Sequence, residues 1–248
     1  MRGRLLGLVL PPTAWLAFFL LVPTAVLAAA AFSHDGMEAL RRADTWILLG
    51  RSFGVAALST AVCLGVSYPV AYFIAGCSPK WRNFLLFLVV LPFWTNLLIR
   101  TYSLMFVLRP LDLMHTPAAG IIGIVHNFVP FMILPLYASI EKVPQRLLEA
   151  SQDLGASPWS SFWKVTVPLT MPGIGAGCIL VFIPAFGIFA LPEILCGTTM
   201  NLVGNRIDQL FHSDEGSPRG AALTLILMIS TVALTWTYHR LRKTEGLS

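Results

Sequence analysis

Long apolar stretches alternate with shorter polar stretches along almost the whole of this chain. Each apolar stretch has about the 20 residues that an α-helix needs to cross the hydrocarbon core of a bilayer. We predict six such spans, at residues 8–32, 46–75, 84–108, 117–140, 171–198 and 221–238. The expected fold is an all-α membrane protein in which residues 1–248 form a single transmembrane domain.

The first apolar stretch follows two arginines, as the apolar region of a secretory signal peptide would. A signal peptide has an apolar region of only ~7–15 residues, and the stretch at residues 8–32 is longer. We therefore expect an uncleaved first span, and a cleaved signal is the alternative.

The longest polar interruption lies between the fourth and fifth apolar stretches, at residues 141–168. Pro144 and Gly155 are typical of the beginning and the end of a short helix. Ser157 and Pro158 are typical of the N-cap and the first residue of a second helix. Both predicted helices have an apolar stripe, formed by Leu147, Leu148, Ala150 and Leu154 in the first and by Trp159, Phe162 and Trp163 in the second. A helix-turn-helix of this kind between membrane spans predicts a surface that docks on another protein.

The basic residues indicate which side of the membrane this loop occupies. Six spans place both termini on one side, together with the loop at residues 141–168. Ten of the 17 basic residues lie on that side, namely Arg2, Arg4, Lys80, Arg82, Lys142, Arg146, Lys164, Arg240, Arg242 and Lys243. Most acidic residues lie on the other side, namely Asp35, Glu38, Asp44, Asp112, Glu193, Asp208, Asp214 and Glu215. Because cytoplasmic loops carry the excess of Lys and Arg, we predict that the loop and both termini are cytoplasmic.

Composition agrees with a membrane protein and argues against several other classes of function. Only 12% of the residues are charged, whereas an ordinary soluble domain has about 25%. The basic residues are scattered, so the net charge of +5 does not indicate a nucleic-acid partner. The four cysteines and five histidines have no metal-ligand spacing, and no phosphate-binding loop occurs. We expect no metal or cofactor in this chain, and any ATP must be hydrolysed by a partner.

The loop carries a pattern that resembles the signature of permease subunits of importers of the ABC transporter class. In that family the pattern reads Glu-Ala-Ala, three residues, Gly, nine residues, Ile, one residue and Leu-Pro. The same spacing is kept here by Glu149-Ala150-Ser151, Gly155 and Val165-Thr166-Val167-Pro168. A serine replaces the second alanine, and valines replace the isoleucine and the leucine.

This resemblance implies that the loop sits in a cleft of a cytoplasmic ATPase and transmits the motion of that ATPase. Glu149 would then cap the loop helices or form salt bridges with them, and Gly155 would permit the turn between them. The implied coupling residues are Glu149, Ala150, Ser151, Asp153, Gly155 and Pro168.

The flanking segments resemble the spermidine/putrescine permeases more narrowly. The segments that carry this resemblance are residues 91–95, 98–102, 130–141 and 204–205. The resemblance implies ATP-driven uptake of a small polar, cationic solute such as spermidine or putrescine across the bacterial cytoplasmic (inner) membrane. The implied partners are a second homologous permease subunit, two cytoplasmic ATPase subunits that bind ATP and Mg²⁺, and a periplasmic or lipid-anchored substrate-binding protein. Membrane lipid surrounds the spans.

Three prolines are predicted to break or bend spans near the middle of the membrane: Pro92, Pro130 and Pro184. A proline frees a backbone carbonyl and bends its helix, and broken helices at this depth often mark a substrate path. A kink that only serves packing is the alternative. Gly173 and Gly177 have the spacing of a close helix contact, so we expect them to serve packing.

Four residues are candidates for contact with a cationic solute. Glu193 offers a carboxylate, and Trp94, Tyr102 and Phe186 offer aromatic faces for cation–π interaction. The alternative for Glu193 is an ion pair with Arg100 or with a partner chain. The alternative for the aromatic residues is packing, or a place in an interfacial belt.

The connection between predicted spans three and four, residues 109–116, is shorter than in the resembled permeases. In those permeases this surface would help to dock the binding protein, so the solute stays open. Permeases for iron(III), an opine or a phosphonate are alternatives of the same class. A membrane enzyme or a structural scaffold is the alternative of a different class, and an enzyme should have a cluster of polar catalytic groups at one membrane depth, which is not found.

Overall fold

The computed structural model describes the backbone of residues 2–213 and 217–244, nearly all of which is helical. Asp214 and Glu215, which entered the topology prediction, lie outside the described residues, as do the side chains of Arg2, Arg4, Arg242 and Lys243. No β-strand occurs within the two described ranges. The predicted all-α fold class is therefore confirmed.

Twelve α-helices make up most of these ranges. In chain order they are α1 Arg2–Ala31, α2 His34–Arg41, α3 Ala43–Gly76, α4 Pro79–Val90, α5 Leu97–Leu108, α6 Pro117–Ile140, α7 Gln145–Asp153, α8 Pro158–Ser161, α9 Val167–Phe186, α10 Ala190–Cys196, α11 Val203–Phe211 and α12 Ser217–Thr244. Five stretches are long and apolar enough to cross a membrane, namely Leu10–Ala31, Ala43–Gly76, Pro117–Ile140, Pro158–Phe186 and Pro218–Tyr238. Helix α6 matches the predicted fourth span residue for residue.

The predicted third span, residues 84–108, is not one straight helix. Helix α4 continues into a 3₁₀ turn at Leu91–Trp94, and Pro92 lies in that turn. The segments Pro79–Trp94 and Leu97–Leu111 meet at an angle of 102°. The described residues therefore contain five candidate spans, or six if this bent pair crosses the membrane as one unit.

The predicted fifth span, residues 171–198, has the wrong boundaries. The helix begins at Pro158 and runs to Phe186 through a π-helical turn at Phe162–Thr166. Pro168 accounts for this turn, because its ring clashes with the carbonyl four residues earlier and a wider preceding turn relieves the clash without ending the helix. The chain then breaks at residues 187–189 and resumes as α10.

The other predicted breaks have different outcomes. Pro130 lies inside α6, which is continuous from Pro117 to Ile140, so the predicted break at Pro130 is wrong. Pro184 lies in the last turn of α9, and the interruption follows it at residues 187–189. Prolines inside membrane helices are tolerated where neighbouring helices and side chains satisfy the freed backbone groups.

Contacts divide the chain into two compact units. One contains the described residues up to Leu48 together with Arg206–Trp236. The other contains Leu49–Asn205 together with the described residues from Thr237 onward.

In the second unit, α9 packs closely on α6 through Gly173 and Gly177. A Cβ atom at Gly173 would lie 2.5 Å from the side chain of Ser139, and one at Gly177 would lie 2.6 Å from the sulfur of Met132. Real Cβ atoms do not approach other heavy atoms this closely, so Gly173, which also faces the carbonyl oxygen of Pro135 at 2.6 Å, requires glycine, and a larger residue at Gly177 would displace the Met132 side chain. The expectation that these two glycines serve helix packing is therefore confirmed.

In the first unit, the polar connection predicted at residues 33–45 contains the helix α2. The Ser33 hydroxyl accepts a hydrogen bond of 3.3 Å from the N–H of Gly36 and caps this helix. Glu38 and Arg42 form an exposed ion pair of 2.7 Å. The hydrogen bond from Arg42 lowers the pKa of the Glu38 carboxyl, and the same bond raises the pKa of the Arg42 guanidinium. Ala31, Ala221 and Ala222 form the buried apolar contact of this unit.

Candidate functional site

The segment at residues 141–168 contains the short helix α7, a sharp turn and α8, and α8 is the first turn of the helix that continues to Phe186. Pro144 is the N-cap of α7, and Gly155 follows α7 with a φ of +84°. This left-handed backbone is strained for any residue with a Cβ atom, so glycine is favoured there. Ser157 caps α8 by accepting a hydrogen bond of 3.2 Å from the N–H of Ser160, and Pro158 is the first helical residue.

A hydrogen bond between side chains connects the two loop helices. The hydroxyl of Ser151 donates to the carbonyl of Leu148 at 2.7 Å and lies 2.6 Å from the hydroxyl of Ser161. Ser161 is buried, so this contact is shielded from water. Ser151 occupies the position of the second alanine in the family pattern, and alanine could not make this bond.

Aromatic rings attach the second loop helix to α3. The ring of Phe162 contacts Tyr68 edge to face at a centroid distance of 5.5 Å and Tyr72 at 5.8 Å, and it stacks on Trp159 at 5.8 Å. The Tyr68 hydroxyl is also 2.8 Å from the hydroxyl of Thr170 on α9. An open apolar groove of about 650 Å³ runs beside this cluster, lined by Tyr68, Pro69, Tyr72, Phe73, Trp159 and Phe162.

The tip of the loop exposes large apolar side chains. Leu154 is 89% exposed, Trp159 70% and Trp163 52%. Glu149, Ala150, Asp153 and Pro168 are also exposed, whereas Ser151 is half-buried. Among the described residues Glu149 forms no ion pair, so the structure does not show the salt bridge with the loop helices that is one of the two roles expected for this residue.

A second feature lies at the break between α9 and α10, where residues 202–205 pack against residues 187–189. The side-chain amide of Asn205 donates a hydrogen bond of 2.9 Å to the carbonyl of Phe189. A Cβ atom at Gly204 would lie 2.7 Å from the carbonyl oxygens of Gly187 and Ile188. In the sequence, Gly204 and Asn205 belong only to the family resemblance, and no pattern predicts that they contact the residues of this break.

Further contacts fix residues 202–205 and the short connection at residues 109–116. The hydroxyl of Ser52 on α3 accepts a hydrogen bond of 2.8 Å from the N–H of Val203. In the connection, the N–H of His115 donates to the carbonyl of Leu195 on α10 at 2.9 Å, and the carbonyl of His115 accepts from Thr199 at 2.8 Å. The short connection is thus held against α10.

The four candidate solute contacts differ in exposure and do not contact one another among the described residues. Trp94 is 80% exposed, and Tyr102 and Glu193 are exposed. Phe186 is 4% exposed, and its ring packs between Phe53 and Phe182. Across the part of the chain that the structure describes, no hydrogen bond, ion pair or ring contact joins any two of these four residues.

Glu193 lies in the first turn of α10, beyond the break, and therefore not on one continuous helix over residues 171–198 as the span prediction implied. The alternative ion pair with Arg100 is not present between the described side chains. Two guanidinium nitrogens of Arg100, Nε and Nη1, are buried without a hydrogen-bond partner in the described structure.

Five long apolar helices and a bent helix pair that can cross a membrane indicate a multi-pass membrane protein. A family model described as "Binding-protein-dependent transport system inner membrane component" matches residues 67–244. The chain belongs to this family, and its members are transport permease subunits of the inner membrane and not enzymes.

Individual relatives and solved structures agree with this assignment. The chain is 38% identical to the spermidine/putrescine transport system permease protein PotB of Haemophilus influenzae, over 92% of this chain and 91% of that protein. It is 37% identical to the protein of the same name from Escherichia coli, over 91% of this chain and 93% of that protein. The resemblance found in the sequence is therefore confirmed.

The fold is similar to that of a chain in the crystal structure of a bacterial alginate ABC transporter in complex with an alginate pentasaccharide-bound periplasmic protein. The TM-score is 0.77, over 98% of this chain and 94% of that chain. Because the identity is only 16%, this likeness concerns the fold alone.

Proposed function

We propose that this chain is a permease subunit of an ATP-driven importer whose substrate is a polyamine such as spermidine or putrescine. The observation that carries this proposal is the identity of 37–38% over nine-tenths of the chain to permeases named for those two solutes. Structural likeness to an alginate transporter does not favour alginate, because fold alone does not specify a substrate. Residues 1–248 act as one permease domain.

The loop at residues 141–168 couples this permease to a separate ATPase subunit. Support comes from its exposed apolar side chains, since Leu154, Trp159 and Trp163 are large and exposed and a partner would cover such side chains. The left-handed turn at Gly155 and the hydrogen bond between Ser151 and Ser161 keep the two loop helices in a defined arrangement. Glu149 and Asp153 are free to meet the ATPase.

The complete importer contains chains besides this one. A second homologous permease subunit completes the path, two cytoplasmic ATPase subunits bind ATP with Mg²⁺, and a periplasmic or lipid-anchored binding protein delivers the polyamine. The exposed carboxylate of Glu193 supports a cationic solute, because an ammonium group that leaves water needs a compensating anion. Trp94 and Tyr102 are exposed and have faces available to such a group.

In this arrangement the bent pair of α4 and α5 crosses the membrane as one span, so the chain has six spans and both termini in the cytoplasm. The excess of basic residues on the side of the loop supports this orientation. Residues 141–168 then face the ATPase.

Titration of the cognate binding protein tests the choice of solute. Spermidine, putrescine, ferric ion, an opine and a phosphonate are added separately, and each loaded protein is then added to the reconstituted complex. We expect tight binding of a polyamine and stimulation of ATP hydrolysis by that loaded form alone. Stimulation by another loaded form, without any by the polyamine form, would assign a different solute.

A further inference from the structure

One ion pair connects the loop to a different span. Arg82 in the first turn of α4 and Glu141, the first residue after α6, are 2.9 Å apart through Nη1 and Oε1. Three other ion pairs between described side chains join residues no more than four positions apart, whereas this pair joins two separate helical elements. The Tyr137 side chain, one turn before Glu141, interacts with both members of the pair.

The two ends of this pair belong to parts of the chain with different roles. Glu141 begins the loop that docks on the ATPase in the proposed function. Arg82 lies in the first turn of α4, which runs without interruption to the 3₁₀ turn at Leu91–Trp94. The 102° bend between the two helical segments follows this turn. A displacement of Glu141 can therefore be transmitted through Arg82 and α4 to the bent pair of α4 and α5.

This ion pair contributes little to the stability of the fold, so a role in stability does not explain it. The side chain of Arg82 is 27% exposed and that of Glu141 is 43% exposed, and ion pairs at such exposure contribute little to folding because water screens them. A contact of this size can still bias an equilibrium between two conformations if it is present in only one of them. If it is kept in both conformations, it makes the two elements that it joins move together.

We propose that Arg82 and Glu141 are positioning residues that tie the start of α4 to the coupling loop, so that motion driven by the ATPase reaches the α4–α5 bend. The proposal rests on the proposed function of the loop. It extends the coupling machinery beyond the Glu-Ala-Ala pattern, to two residues that this pattern does not contain.

Charge reversal tests the pair in the assembled importer, with both permease subunits, the ATPase and the binding protein in liposomes. The variants are Arg82→Glu, Glu141→Arg and the double reversal. We expect each single reversal to lower solute uptake per ATP hydrolysed by about five-fold, with similar amounts of assembled complex. The double reversal restores the opposite charges and should recover most of the loss.

Lys80→Glu is the matched control, because it makes the same change of charge two residues from Arg82 at an exposed lysine that has no ion pair within the described structure. If a single reversal prevents assembly, Arg82→Gln and Glu141→Gln replace it. The proposal is overturned if the double variant is as impaired as the singles, or if Lys80→Glu has the same effect as Arg82→Glu.

The variant Gly155→Leu distinguishes a failure of the Arg82–Glu141 proposal from a failure of the proposed coupling role of the loop. If Gly155→Leu uncouples the importer and the charge reversals do not, only the link through α4 fails. If Gly155→Leu leaves coupling intact, the assignment of the loop fails.

Discussion

The side-chain amide of Asn205 donates a hydrogen bond of 2.9 Å to the main-chain carbonyl of Phe189, and so joins the start of α11 to the start of α10. The same carbonyl accepts a bond of 3.2 Å from the N–H of Glu193. Asn205 thereby supports the helix that carries the candidate solute carboxylate.

Removing this contact should destabilise the protein. Asn205→Ala leaves the carbonyl of Phe189 with one bond fewer and an empty space at a residue that is only 5% exposed. We expect a loss of about 1–3 kcal/mol in the free energy of unfolding, measured as a lower midpoint of thermal unfolding in detergent. Asn201→Ala is the control, since Asn201 is exposed nearby. Equal midpoints for the two variants would contradict the role of Asn205.

Whether a side chain is tolerated at position 155 should depend on the strain of its backbone conformation and not on the space available to the side chain. A Cβ atom there would meet nothing within 4 Å, but the φ of +84° disfavours most residues. We expect Gly155→Leu to remain in the membrane and to lose coupling between solute-stimulated ATP hydrolysis and uptake. Gly155→Asn should keep most of the coupling, because asparagine adopts left-handed backbone more readily. Coupling is measured as the ratio of the uptake rate to the ATPase rate on the same vesicles. Normal coupling in the leucine variant would refute the role of the Gly155 turn.

Some features of the fold could be predicted because their causes are local. Thr116 and Pro117 mark the start of α6, and the apolar run to Ile140 marks its length, so this span was predicted correctly. The fifth span was not, because Pro168 looks like the end of a loop while the π turn before it allows the helix to continue. The residues of the break at 187–189 are contacted by Gly204 and Asn205, which are distant in sequence, so these contacts could not be predicted from a local pattern.

The candidate coupling loop could likewise be predicted only where the cause of a feature is local in the sequence. Gly155, Ser157 and Pro158 act through their own backbone, so their positions in the turn followed from residue type. The bond between Ser151 and Ser161 and the pair of Arg82 and Glu141 join separate helices, and no pattern along the chain predicts which side chains will meet.

Glu193 should contribute to the affinity for a cationic solute. Its side chain is exposed and forms no ion pair in the described part of the chain, so it is available to an ammonium group. We expect Glu193→Gln to raise the half-saturation concentration for a polyamine about ten-fold and to spare assembly. Uptake is titrated with the binding protein saturating, and Asp112→Asn is the control for loss of an exposed carboxylate.

The competing account of Glu193 is an ion pair with a partner chain that holds a gate closed. In that case Glu193→Gln raises basal ATP hydrolysis and leaves the half-saturation concentration unchanged. Such a result would remove Glu193 from the solute path.

The orientation of the chain can be tested at two exposed positions. Gln152→Cys lies in the loop and Ser213→Cys lies between α11 and α12, and both are introduced after the four native cysteines are replaced. We expect a membrane-impermeant maleimide to label position 213 from outside intact spheroplasts and position 152 only in inside-out vesicles. Labelling of both positions from one side would contradict six spans with cytoplasmic termini.

The most direct test of polyamine import is accumulation of radiolabelled spermidine in liposomes that contain the complete importer. The binding protein is placed on one side and ATP with Mg²⁺ on the side of the ATPase. The account predicts saturable uptake that requires ATP and the binding protein, is competed by putrescine, and is not competed by iron(III), an opine or a phosphonate. ATP-driven uptake of one of those other solutes, with no accumulation of spermidine or putrescine, would contradict it.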